Sequence, residues 1–188
     1  MRLSIYIMAL PCLGWNMLAA AAQVEDPLHG VWKNECIQTP EGSLLSTLEL
    51  AQDKLLLAKR SFSDAICQSL ALVETYQGEV KQGPLANHST GTYPLDMTLS
   101  SLTIEIATQE LADNFNQAQI CGNSDWAAKK PQVFTDSCLG LVKGETTYTI
   151  ASLSGNQLKL GLLTDSHDGS SPERRPIDLD DGHVLTAE

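Results

Sequence analysis

Apolar residues recur at every second position along most of the chain between residues 30 and 162. This period places apolar side chains on one face of an extended strand, whereas a helix repeats every three to four residues. The alternating segments are short, and turn-forming residues such as Pro40-Glu41-Gly42 and Ser154-Gly155-Asn156 separate them. The pattern predicts at least seven strands, at residues 30–36, 44–50, 55–62, 70–80, 95–106, 148–150 and 158–162.

The fifth predicted strand changes phase part-way along its length. The apolar set Leu95, Met97 and Leu99 is followed by the set Leu102, Ile104 and Ile106, which is displaced by one residue. A strand with such a displacement keeps one face buried only if it contains one extra, unpaired residue between the two sets. We therefore expect a β-bulge at Ser100-Ser101 that bends the strand.

One segment follows the helical period instead. Leu111, Phe115 and Ala118 recur at i, i+4 and i+7, and Thr108 stands where a capping hydroxyl is favoured. This spacing predicts a helix over residues 109–120. Residues 121–143 follow neither period, and residues 165–188 form a polar acidic tail that we expect to lie over the surface.

Consecutive hairpins with one short helix predict a mainly β fold, either an antiparallel up-and-down barrel or a two-sheet sandwich. A barrel of about eight strands holds one small ligand if its inward side chains leave space. The inward positions are rich in Leu and Met, which suits a flexible apolar chain, although the same side chains would also fill the barrel. The candidate ligand-binding residues are Leu48, Leu72, Glu74, Tyr76 and Met97.

Glu74 is the charged member of this set. It shares strand parity with Leu72 and Tyr76, so the alternation places its carboxylate on the inward face. There it would meet the polar end of a ligand or pair with a cation, unless it lies at the mouth of the barrel.

The first 22 residues differ from the rest of the chain. They contain one base, Arg2, and no acid, and their apolar stretch ends in four alanines, Ala19 to Ala22. This composition is typical of a secretory signal peptide cleaved after Ala22. Residues 23–188 then form a single domain, and no second apolar run approaches the ~18 to 20 residues that span a bilayer. We expect an exported protein without a transmembrane anchor, in the periplasm or outside the cell.

The charge balance narrows the set of partners. Lys and Arg number 12 against 23 Asp and Glu, which gives a formal net charge of −11. Such a surface repels nucleic acid and anionic lipid headgroups, so the charge argues against polyanionic partners.

Four cysteines remain once the leader, with Cys12, is removed: Cys36, Cys67, Cys121 and Cys138. An even number in an exported chain indicates two disulfides, and the spacings include no metal-binding Cys-x-x-Cys pair. Three pairings are open on spacing alone. In a meander, Cys36 and Cys67 fall at the same end of the barrel, which favours Cys36–Cys67 and leaves Cys121–Cys138 to pin the irregular segment between them.

The sequence offers no catalytic or metal-binding constellation. His29, His88, His167 and His183 lie singly in predicted loops, outside any metal-ligand spacing. The chain lacks a nucleophile elbow, a phosphate-binding loop and a dinucleotide fingerprint. The acidic runs at 165–169 and 178–182 do not follow the calcium-loop spacing. We expect no catalytic residue, no metal and no cofactor.

Gly30-Val31-Trp32, at the start of the first predicted strand, resembles the lipocalins, whose tryptophan closes the bottom of the barrel. That resemblance implies a late arginine stacked on the indole, so Arg175 over Trp32 is expected as a cation–π pair. The alternative is a surface ion pair of Arg175 with Glu173 or Asp178. Trp126, between the last two cysteines, is expected to plug the disulfide loop.

A broader similarity extends over most of the chain after the leader. The chain resembles the lipocalin-like domain of the adenomatosis polyposis coli down-regulated family at Cys36, Phe62-Ser63-Asp64-x-x-Cys67, Tyr76-Gln77-Gly78, Cys121-Gly122, Trp126, Cys138, Leu158-Lys159-Leu160-Gly161 and Arg175-Pro176. The resemblance implies a half-open or closed barrel with an apolar cavity. The animal members bind the acyl chain of Wnt proteins with two such domains and a membrane anchor. Because this chain has a single such domain, the resemblance implies the same class of ligand, an acyl chain, but not the Wnt activity.

Two functions of different classes follow from these expectations. The first is a non-enzymatic binding protein that holds a hydrophobic acyl-chain-type ligand in a β-barrel. The alternative is a structural or interaction module, in which a filled barrel presents its loops to a protein or cell-envelope partner.

Overall fold

The computed structural model describes residues 27–86, 91–139 and 144–188, so the predicted signal peptide and His88 lie outside the described residues. The described chain forms strands β1 (Gly30–Lys33), β2 (Ile37–Thr39), β3 (Gly42–Ala51), β4 (Lys54–Phe62), β5 (Leu70–Gln82), β6 (Thr92–Ile106), β7 (Gln132–Phe134), β8 (Thr146–Ser154), β9 (Gln157–Leu160) and β10 (Leu185–Ala187), with helix α1 (Gln109–Gln117). Short 3-10 turns occupy Ile120–Gly122 and Pro172–Arg174. None of these helical segments has the length and apolar character needed to cross a bilayer.

Eight of the strands close into an antiparallel barrel. The order of neighbours is β1, β10, β9, β8, β6, β5, β4 and β3, and β3 pairs again with β1. The predicted mainly β barrel, with one helix and two disulfides, is thus confirmed, and the sandwich alternative is excluded because the sheet returns to its first strand.

The two ends of the barrel are built differently. Toward the β3–β4 turn, the eight strands form a continuous wall, which we call the packed end. At the opposite end, which carries both disulfides, β2 pairs with β3 and β7 with β6. In the described ranges no strand joins β2 to β7, so the sheet has two edges at this disulfide end.

The packed end contains the larger core. Trp32 is 5 % exposed, and its indole N–H donates to the Leu28 carbonyl at 2.9 Å. Leucine and valine side chains from all around the ring surround it: Leu28, Leu48, Leu50, Leu55, Val80, Leu95, Leu158 and Leu185. The side chains that the alternation predicts to point inward therefore fill this end of the barrel.

The expected bulge in the long strand β6 is confirmed. Gln77 of β5 pairs with Ser101, but the next residue, Gly78, pairs with Leu99, so Ser100 has no residue opposite it. A Cβ on Gly78 would lie 2.3 Å from the Thr98 carbonyl oxygen, so the close approach of the strands requires glycine. The extra residue returns the apolar side chains of β6 to the inner face.

Helix α1 begins where the sequence predicts and ends one turn early. Thr108 is the N-cap, and its hydroxyl accepts from the Leu111 N–H at 3.3 Å. The helix ends at Gln117 rather than Ile120, because Gln119 adopts a left-handed conformation with φ of 50°. Ala112 is fully buried against the second core, whereas Ala118 is exposed.

The second core covers the inner face of β5, β6 and β7 at the disulfide end. Trp126 is 2 % exposed and packs between Phe115 of α1 and Phe134 of β7, with ring centroids 5.4 and 5.5 Å away. Its indole N–H donates to the Ile120 carbonyl. The expectation that Trp126 plugs the disulfide loop is confirmed.

Both disulfides have the pairing favoured by the meander. Cys36 is bonded to Cys67, with Cα atoms 6.0 Å apart, and Cys121 to Cys138, with Cα atoms 5.2 Å apart. Beside the first bond, the Asp64 carboxylate accepts from the N–H groups of Ile66, Gln68 and Ser69. A hydrogen bond from the Ser69 side chain is the largest cause, and together with these N–H bonds it lowers the pKa of Asp64 to about 2.

Three expectations about the chain's organisation are wrong. The first predicted strand ends at Lys33 rather than Cys36, and an unpredicted strand, β2, follows it. The irregular segment contains β7, and the supposed surface tail contains β10. Strand β10 pairs with both β1 and β9, and Leu185 is only 7 % exposed. A three-residue strand shows too few alternations for its period to be recognised.

Candidate ligand-binding cavity

A cavity of about 430 Å³ lies inside the barrel, between the packed end and the second core. Its wall is mostly leucine and methionine: Leu44, Leu48, Leu55, Leu57, Met97, Leu99, Leu160, Leu162, Leu163 and Leu185. The volume is within the range of small-molecule sites, roughly 300–1,000 Å³. The interior of the barrel is thus neither empty throughout nor completely filled.

Strand parity explains which side chains reach this space. Leu48 lies opposite Leu57 across β3 and β4, and Leu57 lies opposite Tyr76 across β4 and β5. Residues paired across neighbouring strands point to the same face, so this row projects inward. Met97 and Leu99 reach the same space from the part of β6 before the bulge.

Lys59 places a positive charge in this apolar wall. It follows Leu57 by two residues on β4, and its Nζ lies 5.3 Å from the centre of the Tyr76 ring. Glu74 is its partner across β4 and β5. The structure places no carboxylate of the described residues within 4.0 Å of this ammonium group.

Glu74 and Tyr76 interact with each other at the inner face. The Tyr76 hydroxyl lies 3.0 Å from Glu74 Oε1 and donates to the Leu139 carbonyl at 2.6 Å. Burial raises the pKa of Tyr76 well above its usual range, and the adjacent Glu74 carboxylate adds to the effect. The phenol therefore remains a hydrogen-bond donor at any physiological pH.

Three other polar side chains on the cavity wall have partners. Asn34 Oδ1 accepts from the Ser46 N–H at 2.5 Å, which fixes the chain where β1 ends. Asp180 Oδ2 lies 2.6 Å from His183 Nδ1. Desolvation raises the pKa of Asp180, but the hydrogen bonds from His183 and the Gly182 N–H outweigh it, so the pKa is lowered. These groups stabilise the wall of the cavity and leave Lys59 as its unpaired charge among the described residues.

The segment after β9 forms one side of the mouth. Leu162 N–H donates to the Asp178 carbonyl, and Asp180 N–H donates to the Leu160 carbonyl, which ties two stretches of the C-terminal segment together. Gly161 packs against the buried Pro176, where a Cβ would lie 2.6 Å from the proline Cβ. Leu163 is 56 % exposed at the rim of the cavity.

Arg175 fastens this segment to the outside of the barrel. Its Nη1 donates to the carbonyls of Leu95 and Thr149 at 2.8 and 2.5 Å, and its Nη2 lies 2.6 Å from the Asp96 carboxylate. The guanidinium also lies over Tyr148, 5.4 Å from the ring centre. The two family-like segments 158–161 and 175–176 therefore meet in space.

The expected stacking of Arg175 on Trp32 is wrong. Asp96 and Tyr148 pair across β6 and β8 and face the outside of the barrel, whereas Trp32 faces the inside. The wall of the barrel therefore separates the guanidinium from the indole. The alternative ion pairs of Arg175 with Glu173 or Asp178 are also wrong, because the side chain binds Asp96.

The five residues proposed from the sequence occupy two levels of the interior. Leu48 and Met97 line the cavity, whereas Leu72, Glu74 and Tyr76 lie at the adjacent second core. Their role in binding stays a prediction. The sequence reasoning omitted Lys59, although its parity with Leu55 and Leu57 placed it on the same face. It also omitted Leu160, Leu162, Leu163, Asp180 and His183, because the contact of the tail with the mouth has no sequence signal.

The remaining polar clusters are structural. Arg174 forks onto the Asp168 carboxylate and lowers the pKa of that group, with help from Ser170. Within the described ranges, no three His, Cys, Asp or Glu residues are grouped to hold a metal ion. A depression of about 620 Å³ lies on the outer face of β3 to β6, and its lining includes the charged residues Glu49, Asp53, Lys54 and Glu79. The interior cavity is therefore the candidate site.

Comparison with models of known protein families and with curated proteins finds no match. The resemblance to the lipocalin-like domain thus rests on its motif residues alone, and it stays a hypothesis.

Proposed function

We propose that the protein is a non-enzymatic binding protein that holds an acyl-chain-type ligand in its barrel, outside the cytoplasm. The observation that carries this proposal is the cavity of about 430 Å³, bounded by leucine and methionine side chains within a closed barrel. Flexible aliphatic walls adapt to a flexible alkyl chain, and methionine adapts best of all.

The place of action follows from the covalent structure and the leader. Two disulfides bridge the described chain, and such bonds persist in oxidising compartments. The apolar leader of 22 residues supports export to the periplasm or the cell exterior. The family resemblance supports the same class of ligand.

The chain-length dependence of binding tests the proposal. Saturated fatty acids of increasing length displace a fluorescent fatty acid from the purified protein, and each methylene that enters the cavity is worth about 0.8 kcal/mol. We expect affinity to rise about fourfold per methylene until the cavity is full, and then to level off. Native mass spectrometry of protein purified from its own host should show a co-purifying lipid.

A bulky substitution provides the matched control. Leu57→Trp places an indole in the cavity and should abolish displacement, because Leu57 lines the site. Gln77→Trp adds the same ring at an exposed position one strand away and should leave binding unchanged. No uptake of a fluorescent fatty acid, together with a single ligand-free mass, would reject the proposal and favour the interaction module.

A further inference from the structure

We infer that Lys59 is the headgroup anchor of the cavity, and that the ligand is a single-chain amphiphile with a carboxylate. This inference rests on the proposed function and specifies its ligand class. Lys59 is the one lysine or arginine among the described residues that line the cavity. Its Leu-rich surroundings define where the tail of such a ligand lies, and its ammonium defines where the head lies.

The ammonium group of Lys59 lacks a strong partner among the described residues. A lysine head removed from water is unfavourable unless an anion or several acceptors compensate it. The Tyr76 ring, 5.3 Å away, offers a weak cation–π contact. Four other basic side chains of the described residues have carboxylates at 2.5 to 2.7 Å, in the pairs Lys33–Glu188, Lys159–Asp181, Arg174–Asp168 and Arg175–Asp96.

The acidic groups that face the same space have other contacts. Asp180 is paired with His183, and Glu74 Oε1 lies 3.0 Å from the Tyr76 hydroxyl. That hydroxyl donates to the Leu139 carbonyl. No ion pair within the described chain therefore engages the three N–H donors of Lys59. A ligand carboxylate would accept hydrogen bonds from them.

The charge of the whole molecule makes this local cation decisive. A chain of formal net charge −11 repels anions at a distance, so an anionic amphiphile needs a specific positive partner to bind. One lysine without an arginine fork or a second cation matches a singly charged carboxylate better than a phosphate. The structure thus favours a free acid over an ester, an alcohol or a phospholipid.

Binding of dodecanoate and 1-dodecanol at pH 8 tests the inference, since the two ligands share an alkyl chain and differ in headgroup charge. Isothermal titration is carried out on the wild type, Lys59→Met, Lys59→Arg and the control Arg60→Met, whose side chain is exposed on the opposite face of β4. The wild type should prefer dodecanoate. Lys59→Met should weaken dodecanoate binding by at least about tenfold and change dodecanol binding less than about twofold.

The remaining arms separate this inference from the function beneath it. Lys59→Arg should keep most of the preference for dodecanoate, and Arg60→Met should keep all of it. Retained dodecanol binding shows that a variant is folded. If both ligands bind equally well to the wild type and to Lys59→Met, the anchor is refuted and the binding function stands. If neither ligand binds the wild type, both are refuted.

Discussion

Arg175 has the most extensive set of polar contacts described for any side chain of the C-terminal segment. Its guanidinium is 19 % exposed and binds two main-chain carbonyls, the Asp96 carboxylate and the face of Tyr148. Arginine is suited to this position because its planar fork presents several donors at once. The adjacent Arg174 binds Asp168 at the surface, where it is 43 % exposed.

The neighbouring arginines allow a matched prediction. Arg175→Met should lower the free energy of unfolding by about 2 kcal/mol, because it removes charged hydrogen bonds in a half-buried site. Arg174→Met should lower it much less than Arg175→Met does, because water screens the exposed pair. Urea unfolding followed by circular dichroism measures both. An equal, small effect of the two substitutions would show that Arg175 does not fasten the segment.

The sequence predicts individual side-chain contacts least well. Parity along a strand correctly places Glu74 and Tyr76 on the inner face, since alternation is a property of the backbone. Arg175 was assigned to Trp32 by analogy, and the barrel wall separates them. The partner of a long side chain depends on which segments pack together, and local sequence carries no record of that packing.

The bulge in β6 is the element that shapes the site. It lets one strand of 15 residues line both the cavity, through Met97 and Leu99, and the second core, through Ile104. Gly78 lies opposite the bulge, where the strands approach too closely for a side chain.

We predict that Gly78→Ala destabilises the fold by about 1 to 3 kcal/mol, since the added methyl group forces the backbone at Thr98 to move. Gly182→Ala is the control, because its added methyl group approaches only the Asp180 carboxylate, at 3.2 Å. Equilibrium unfolding in urea should show a lower midpoint for Gly78→Ala alone. Equal midpoints for the two variants would mean that the strands tolerate a side chain at the bulge.

Element length explains which parts of the fold were predictable. The long strands β3 to β6 and the displaced apolar set that marks the bulge show several periods, so the sequence identifies them. Strands β2, β7 and β10 have three residues each, and neighbouring strands determine their conformation. Helix α1 was recognised from its cap and period, but a left-handed residue without a glycine signal ended it.

At the scale of the whole molecule, one half of the barrel is packed and the other half is partly hollow. The eight-stranded ring surrounds the core that contains Trp32, and the cavity lies between this core and the one around Trp126. The packed end supplies rigidity, whereas the space between the two cores supplies room for a ligand. The sequence left open whether the barrel is filled or hollow, and the structure contains both a packed core and a cavity.

Leu185 tests whether β10 closes the ring. Leu185→Ala should lower the free energy of unfolding by about 2 to 4 kcal/mol, because the side chain is 7 % exposed in the larger core. Leu163→Ala removes the same group from a position that is 56 % exposed and should change stability by less than about 0.5 kcal/mol. Thermal and urea unfolding compare the two. If the Leu185→Ala and Leu163→Ala proteins are equally stable, the prediction that β10 closes the ring is contradicted.

The pairing of Trp32 with Ala187 also determines when the ring of strands can close as the protein folds. Residues at opposite ends of the described chain must meet before the ring is complete, and contacts so distant in sequence form slowly. Until Ala187 is in place, β1 and β9 each have an unpaired edge, a surface to which other strands add. These two edges therefore stay open to wrong pairing with other chains until residues 185–187 join the sheet.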